Sequence, residues 1–182
     1  MKSMKKLLSL ILSLVLLISC MPALSEAPAE PENRIYAVDS AYLNLANMSP
    51  QFKGGEASER GCLGLQPFRN QDDTFADGHM MFAVEVESAG LYNVTVRYAA
   101  KAKEGQIRCA DLIVNQGERI ALPIEAQADW NIYMDAVVTV ELIEGVNTLI
   151  LTNVEGFDNS VYKAINVDYI EWVPAPEAPA AE

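Results

Sequence analysis

Apolar and polar residues alternate along the middle of the chain with a period of two. The segment 91–98 shows it most clearly. Tyr92, Val94, Val96 and Tyr98 fall on one face, and Leu91, Asn93, Thr95 and Arg97 fall on the other. The first set is apolar and is predicted to face a core. Met80–Val86 is a second such run, ending before Ser88-Ala89-Gly90, and Ala110–Val114 is a third, ending at the turn residues Asn115-Gln116-Gly117. Arg119–Ile124, Ala136–Leu142, Thr148–Asn153 and Ala164–Trp172 complete the predicted strands, with Glu144-Gly145 as a tight turn between two of them. No segment carries a sustained helical period with caps. Strands separated by turn signals at intervals of roughly 8–12 residues predict an all-β domain, an antiparallel β-sandwich or jelly roll.

The ends of the chain read differently. Residues 1–25 have the form of a signal peptide: Lys2, Lys5 and Lys6 precede an apolar run from Leu7 to Ile18, and small residues follow. That run is too short to span a bilayer comfortably. Two processing readings stand side by side. Leu17-Ile18-Ser19-Cys20 has the form of a bacterial lipobox, which would lipidate Cys20 and tie the protein to a membrane. Ala23-Leu24-Ser25 has the form of an ordinary cleavage site, which would release a free protein. Both imply export, to the extracellular space or to the cell surface as a lipoprotein. Residues 26–33 form a Glu, Ala and Pro-rich linker, residues 34–173 the folded domain, and residues 174–182 a Pro and Ala-rich tail.

Removing the leader takes three lysines and no acid, so ten basic residues face 25 acidic ones, a net charge of −15. Such a field repels nucleic acid and anionic lipid. Contact with a membrane is therefore expected only through an acyl chain on Cys20. A domain of this size can bury a core of its own, and a monomer is expected. Cys62 and Cys109 are the thiols outside the leader, and an oxidising compartment would permit one disulfide between them; a pair of thiols is the equal alternative.

Four stretches carry a resemblance when read in order. They are Gly90-Leu91-Tyr92-Asn93-Val94-Thr95-Val96-Arg97-Tyr98-Ala99, Trp130-Asn131-Ile132-Tyr133, Gly145-Val146-Asn147-Thr148-Leu149-Ile150-Leu151 and Asn166-Val167-Asp168-Tyr169-Ile170. Together they resemble the carbohydrate-binding modules of families 6 and 35, which are galactose-binding-like β-sandwiches. The resemblance runs from Ile35 to Trp172 and is thinnest between Asn44 and Gly78. It implies non-catalytic binding of a polysaccharide at a loop end of the sandwich. Trp130 would stack on the apolar face of a sugar, and Asn166 would bond its hydroxyls with Tyr133. The polar loop 155–163 supplies Asp158 and Asn159 as further candidate contacts. Beside these stand plainer roles: a core cap for Trp130, a structural ring for Tyr133, and a strand-entry amide for Asn166.

The sequence also departs from the family pattern. Around Gly61-Cys62-Leu63-Gly64-Leu65 the family carries an aromatic wall of the sugar site, whereas Leu63 and Leu65 stand here; Phe68 would replace it only if its loop folds back. The family's structural Ca²⁺ uses two glutamates of the first strand and an aspartate of the last. In Ile35-Tyr36-Ala37-Val38-Asp39 those glutamate positions hold Tyr36 and Val38, leaving Asp168 and, by a shift, Asp39. Two carboxylates fall short of the roughly six to eight oxygens that Ca²⁺ takes.

Catalysis has less to work with. The single histidine, His79, stands beside Gly78 at a strand entry, and no serine or cysteine around it marks an activated nucleophile. An enzyme is not expected, although paired carboxylates keep a small glycan hydrolase as one alternative. The other is a structural or adhesion module that keeps the fold without a sugar site. Arg97 faces away from the core and is expected to pair with a surface acid or to meet an acidic sugar.

Overall fold

The computed structural model describes residues 31–40, 42–43, 50–51, 55–65, 68–69, 75–76, 78–104, 106–153 and 164–176. Cys20, Asp158 and Asn159 lie outside them, as do the leader and the loop 155–163. The strands are β1 (Arg34–Tyr36), β2 (Tyr42–Leu43), β3 (Pro50–Gln51), β4 (Cys62–Leu65), β5 (Phe68–Arg69), β6 (Phe75–Ala76) and β7 (His79–Val86). They continue with β8 (Gly90–Ala99), β9 (Asp111–Val114), β10 (Arg119–Ala121), β11 (Met134–Leu142), β12 (Gly145–Thr152) and β13 (Ile165–Pro174).

Two antiparallel sheets form the sandwich. The first has the order β11-β8-β13-β4-β3, with β1 pairing β13 beside β4, and the second has the order β10-β9-β12-β7-β2. The short β5 and β6 pair with each other alone. The period-two reading of β8 holds in the structure: Tyr92, Val94, Val96 and Tyr98 are all buried between the sheets. They meet Met80, Phe82, Val84 and Val86 of β7 and Leu149 and Leu151 of β12 from the opposite layer. Each such side chain contributes about 1.5–3 kcal/mol of burial free energy. Tyr98 buries its ring and still satisfies its hydroxyl, which accepts from Glu125 N at 2.7 Å.

Two expectations need correction, and the open alternative for the cysteines resolves. The first strand ends at Tyr36, and Ala37–Asp39 closes as a 3-10 turn. The segment 119–124 is a strand only as far as Ala121, because Pro123 offers no N–H to a ladder and Leu122 turns into the core. Cys62 and Cys109 remain thiols and form no bridge. Cys62 sits on the outer face of the first sheet, whereas Cys109 precedes β9 in the second. Packed sheets lie about 10 Å apart, and a disulfide needs Cα atoms within about 7 Å.

Candidate functional site

The outer face of the first sheet carries a second, smaller apolar cluster of Cys62, Ala99 and Tyr133, with Ala57 and Trp130 packed against it. Its geometry follows from strand alternation. Leu63 and Leu65 point into the main core, so Cys62 points out; Tyr98 points in, so Ala99 points out. Asn166 lies between the inward-facing Ile165 and Val167 and pairs across the ladder with Ala99 on one side and Gly64 on the other. Asn166 and Ala99 are thereby neighbours across the ladder, and Trp130 packs on the same face against the cluster that contains Ala99.

The loop that bears Trp130 is built from its own sequence. Asp129 Oδ1 accepts from Asn131 N at 2.9 Å and from Asn131 Nδ2 at 2.7 Å, an Asx turn that folds the chain around Trp130. These bonds and Lys101 hold the Asp129 carboxyl below its ordinary range, with the Asn131 backbone N–H as the largest cause. The loop is also stitched to the end of β8, where Gln127 N donates to Ala100 O at 2.7 Å and Ala102 N donates to Gln127 O at 3.2 Å. Lys101 Nζ reaches Asp129 Oδ2 at 3.4 Å.

Arg108 was absent from the sequence-based candidates. Its guanidinium carbon lies 4.9 Å from the Trp130 ring centroid, over the ring. The side chain is buried and bonds outward to carbonyls: Nε donates to Lys101 O at 2.5 Å and Nη1 to Ala164 O at 3.3 Å. It therefore backs part of the ring and leaves the remainder half-buried. No local pattern marks such a residue, because its partners are carbonyls from distant parts of the chain.

Tyr133 is removed from the contact set. Its side chain is buried at 6% exposure, and its hydroxyl hydrogen-bonds the Cys62 sulfur. Burial, then that bond, pushes the Tyr133 hydroxyl far above its ordinary range. Burial likewise raises the Cys62 thiol, against the lowering effect of the Tyr133 bond. Leu63 and Leu65 are core residues and form no wall of a site on this face.

The two candidate metal ligands are engaged elsewhere. A bulge between Val167 and Tyr169 re-aims Asp168, which is fully buried and accepts from Ser58 N at 2.8 Å and Ser58 Oγ at 2.5 Å. Asp39 pairs with Arg60. Among the described residues no group of three or more acidic, histidine or cysteine side chains is arranged to hold a metal ion. Arg97 pairs with Asp135 at 3.2 Å and donates to Glu56 O at 3.4 Å, so it serves as a surface cation of the sheet.

The architecture is an antiparallel two-sheet β-sandwich whose fold is similar to that of family 35 carbohydrate-binding modules. No known sequence family and no curated protein matches the chain. Solved structures do. A family 35 carbohydrate binding module from Clostridium thermocellum matches with a TM-score of 0.60 and 23% identity, over 78% of this chain and 98% of the module. A family 35 module crystallised with a glucuronic acid containing disaccharide matches at a TM-score of 0.58 and 15% identity, over 79% of this chain and 94% of that one. A cycloisomaltooligosaccharide glucanotransferase from a Paenibacillus species matches at 0.58 and 22%, over 77% of this chain; the match spans only 18% of that enzyme. At these identities the similarity is one of fold.

Proposed function

We propose that this chain is a non-catalytic glycan-binding module, exported and then either released or held at the cell surface through Cys20. The observation that carries the reading is the placement of Trp130 and Asn166 on one face at a loop end of the sandwich. An indole and an amide on one face offer what a pyranose requires, an apolar platform and a hydroxyl partner. The fold similarity supports it, since its neighbours include modules described as binding carbohydrate. Such sites are shallow, and weak affinity is expected because few groups offset the cost of ordering ligand and protein.

A glycan array probed with the full chain tests the proposal. Binding to a defined set of polysaccharides or oligosaccharides is the expected result, with no reducing sugar released from the bound polymers. One observation favours a second reading, a structural or adhesion module: Arg108 already covers part of the Trp130 ring. Silence across the array, with and without added Ca²⁺, would select that reading.

A further inference from the structure

The segment Gly55–Gly61 crosses the outer face of the first sheet and contacts the Trp130 loop at Asn131 and Tyr133. Glu56 N donates to Asn131 O at 3.0 Å, and Tyr133 N donates to Glu56 Oε2 at 3.2 Å, so Glu56 grips the chain on both sides of Ile132. Gly55 has a φ of 65°, and a Cβ on it would stand 2.5 Å from Asn131 Cβ and O; only glycine fits both the backbone conformation and the space. Ala57 packs on the same Cys62, Ala99 and Tyr133 cluster as Trp130. Arg97 Nη2 reaches Glu56 O at 3.4 Å.

Ser58 fixes this segment to the sheet. Both its N–H and its hydroxyl donate to Asp168, one to each carboxylate oxygen, and its own carbonyl accepts from Gly61 N at 3.0 Å. Asp168 can reach Ser58 because the bulge in β13 turns it onto the outer face. A fully buried carboxyl group needs hydrogen-bond partners, and Ser58 supplies two.

The geometry points to a positioning role for Asp168. Through Ser58 it clamps the 55–61 segment, and the segment holds Trp130 in the orientation that receives a ligand. The aspartate of the last strand is thus a clasp for the binding loop rather than a metal ligand. This inference rests on the glycan-binding reading for its effect on affinity, and on the geometry alone for its effect on the ring.

The test uses the full chain with Trp172→Phe, which leaves Trp130 as the sole tryptophan. Ser58→Ala and Asp168→Asn are compared with Ser58→Thr, which keeps the hydroxyl. Asn147→Ala is the control for general destabilisation. It weakens the turn at the far end of β11, whose nine residues set it roughly 30 Å from Trp130. In Ser58→Ala and Asp168→Asn, acrylamide quenching of Trp130 is expected to rise. Affinity for the best array glycan is expected to fall roughly tenfold, as when a tenth of the molecules hold the competent loop. Ser58→Thr restores both, and Asn147→Ala lowers the melting temperature while changing neither. If Asp168→Asn fails to fold, Ser58→Ala decides. Unchanged quenching in both clasp variants overturns the inference, as does an equal rise in Asn147→Ala. A Ca²⁺-induced rise in melting temperature in the parent protein that Asp168→Asn abolishes also overturns it, because Asp168 would then be a metal ligand. Absence of glycan binding in the parent refutes the functional reading alone, since quenching still reports the clasp.

Discussion

Single side chains set the limits of the site. The Trp130 ring rests on the Cys62, Ala99 and Tyr133 cluster and lies under the Arg108 guanidinium, so only its uncovered part is open to the proposed ligand. Trp130 and Asn166 were open to proposal from the sequence, because an aromatic in a turn and an amide at a strand entry are local signals. Arg108 and the Ser58–Asp168 pair were not, because each acts on a partner remote in sequence. Ser58 and Asp168 are 110 residues apart, and although the bulge shifts the buried phase from Ile165 and Val167 to Ile170 and Trp172, nothing in that shift names Ser58 as the partner. Gly55 gives a direct prediction at this scale. Gly55→Ala forces a side chain into positive φ and against the Asn131 backbone, and is expected to cost about 1–3 kcal/mol in urea unfolding. A loss below a few tenths would show that the segment can relax away from Asn131.

At the scale of elements, the long strands and the short β9 and β10 were read from the sequence, whereas β2 to β6 were missed. β7, β8, β11, β12 and β13 each span eight or more residues, enough for period two to declare itself. β4 is four residues interrupted by Gly64, and nothing in Gly61-Cys62-Leu63-Gly64-Leu65 separates a buried strand from a loop. Turns are held by polar residues whose roles only the structure reveals. Asn147 is fully buried: its Oδ1 accepts from Ile143 N at 3.0 Å and from Asn115 Nδ2 at 2.8 Å, and its Nδ2 donates to Ile143 O at 2.8 Å. It ties the β11–β12 turn to the β9–β10 turn, where Asn115 and Gln116 both take positive φ. Asn147→Ala strands several of these groups, and a loss of about 2–3 kcal/mol is expected on chemical denaturation. A change within half a kcal/mol would mean that water replaces the amide at no cost.

The described sandwich is held by its two-sheet core, and no disulfide joins its described residues. Because Cys62 and Cys109 are thiols, dithiothreitol is expected to leave the melting temperature unchanged; a drop of several degrees would reveal a bridge. The buried thiol and hydroxyls give the stability a pH dependence of definite sign. Cys62 has its pKa raised in the folded state, so the unfolded chain loses that proton first as pH rises. Stability from this group is complete below the ordinary thiol value of about 8.5 and declines above it, toward the higher folded value. Tyr133, Tyr98 and Tyr169 are shifted in the same direction by burial and add a second decline above about pH 10. Urea midpoints measured from pH 7 to 10.5 should fall in these two stages, and Cys62→Ser should remove the first. A midpoint flat to pH 10 would contradict the burial of the thiol. The sandwich followed from alternation and resemblance, whereas the Ser58–Asp168 clasp required the folded chain.

The central claim, that Trp130 and Asn166 bind a glycan, is tested most directly by isothermal titration of the best array glycan into the full chain and into Trp130→Ala and Asn166→Ala. The account predicts a weak saturable heat in the unsubstituted protein and none in either variant, with circular dichroism unchanged. Equal heats in all three proteins would place any sugar site elsewhere on the sandwich and contradict the account.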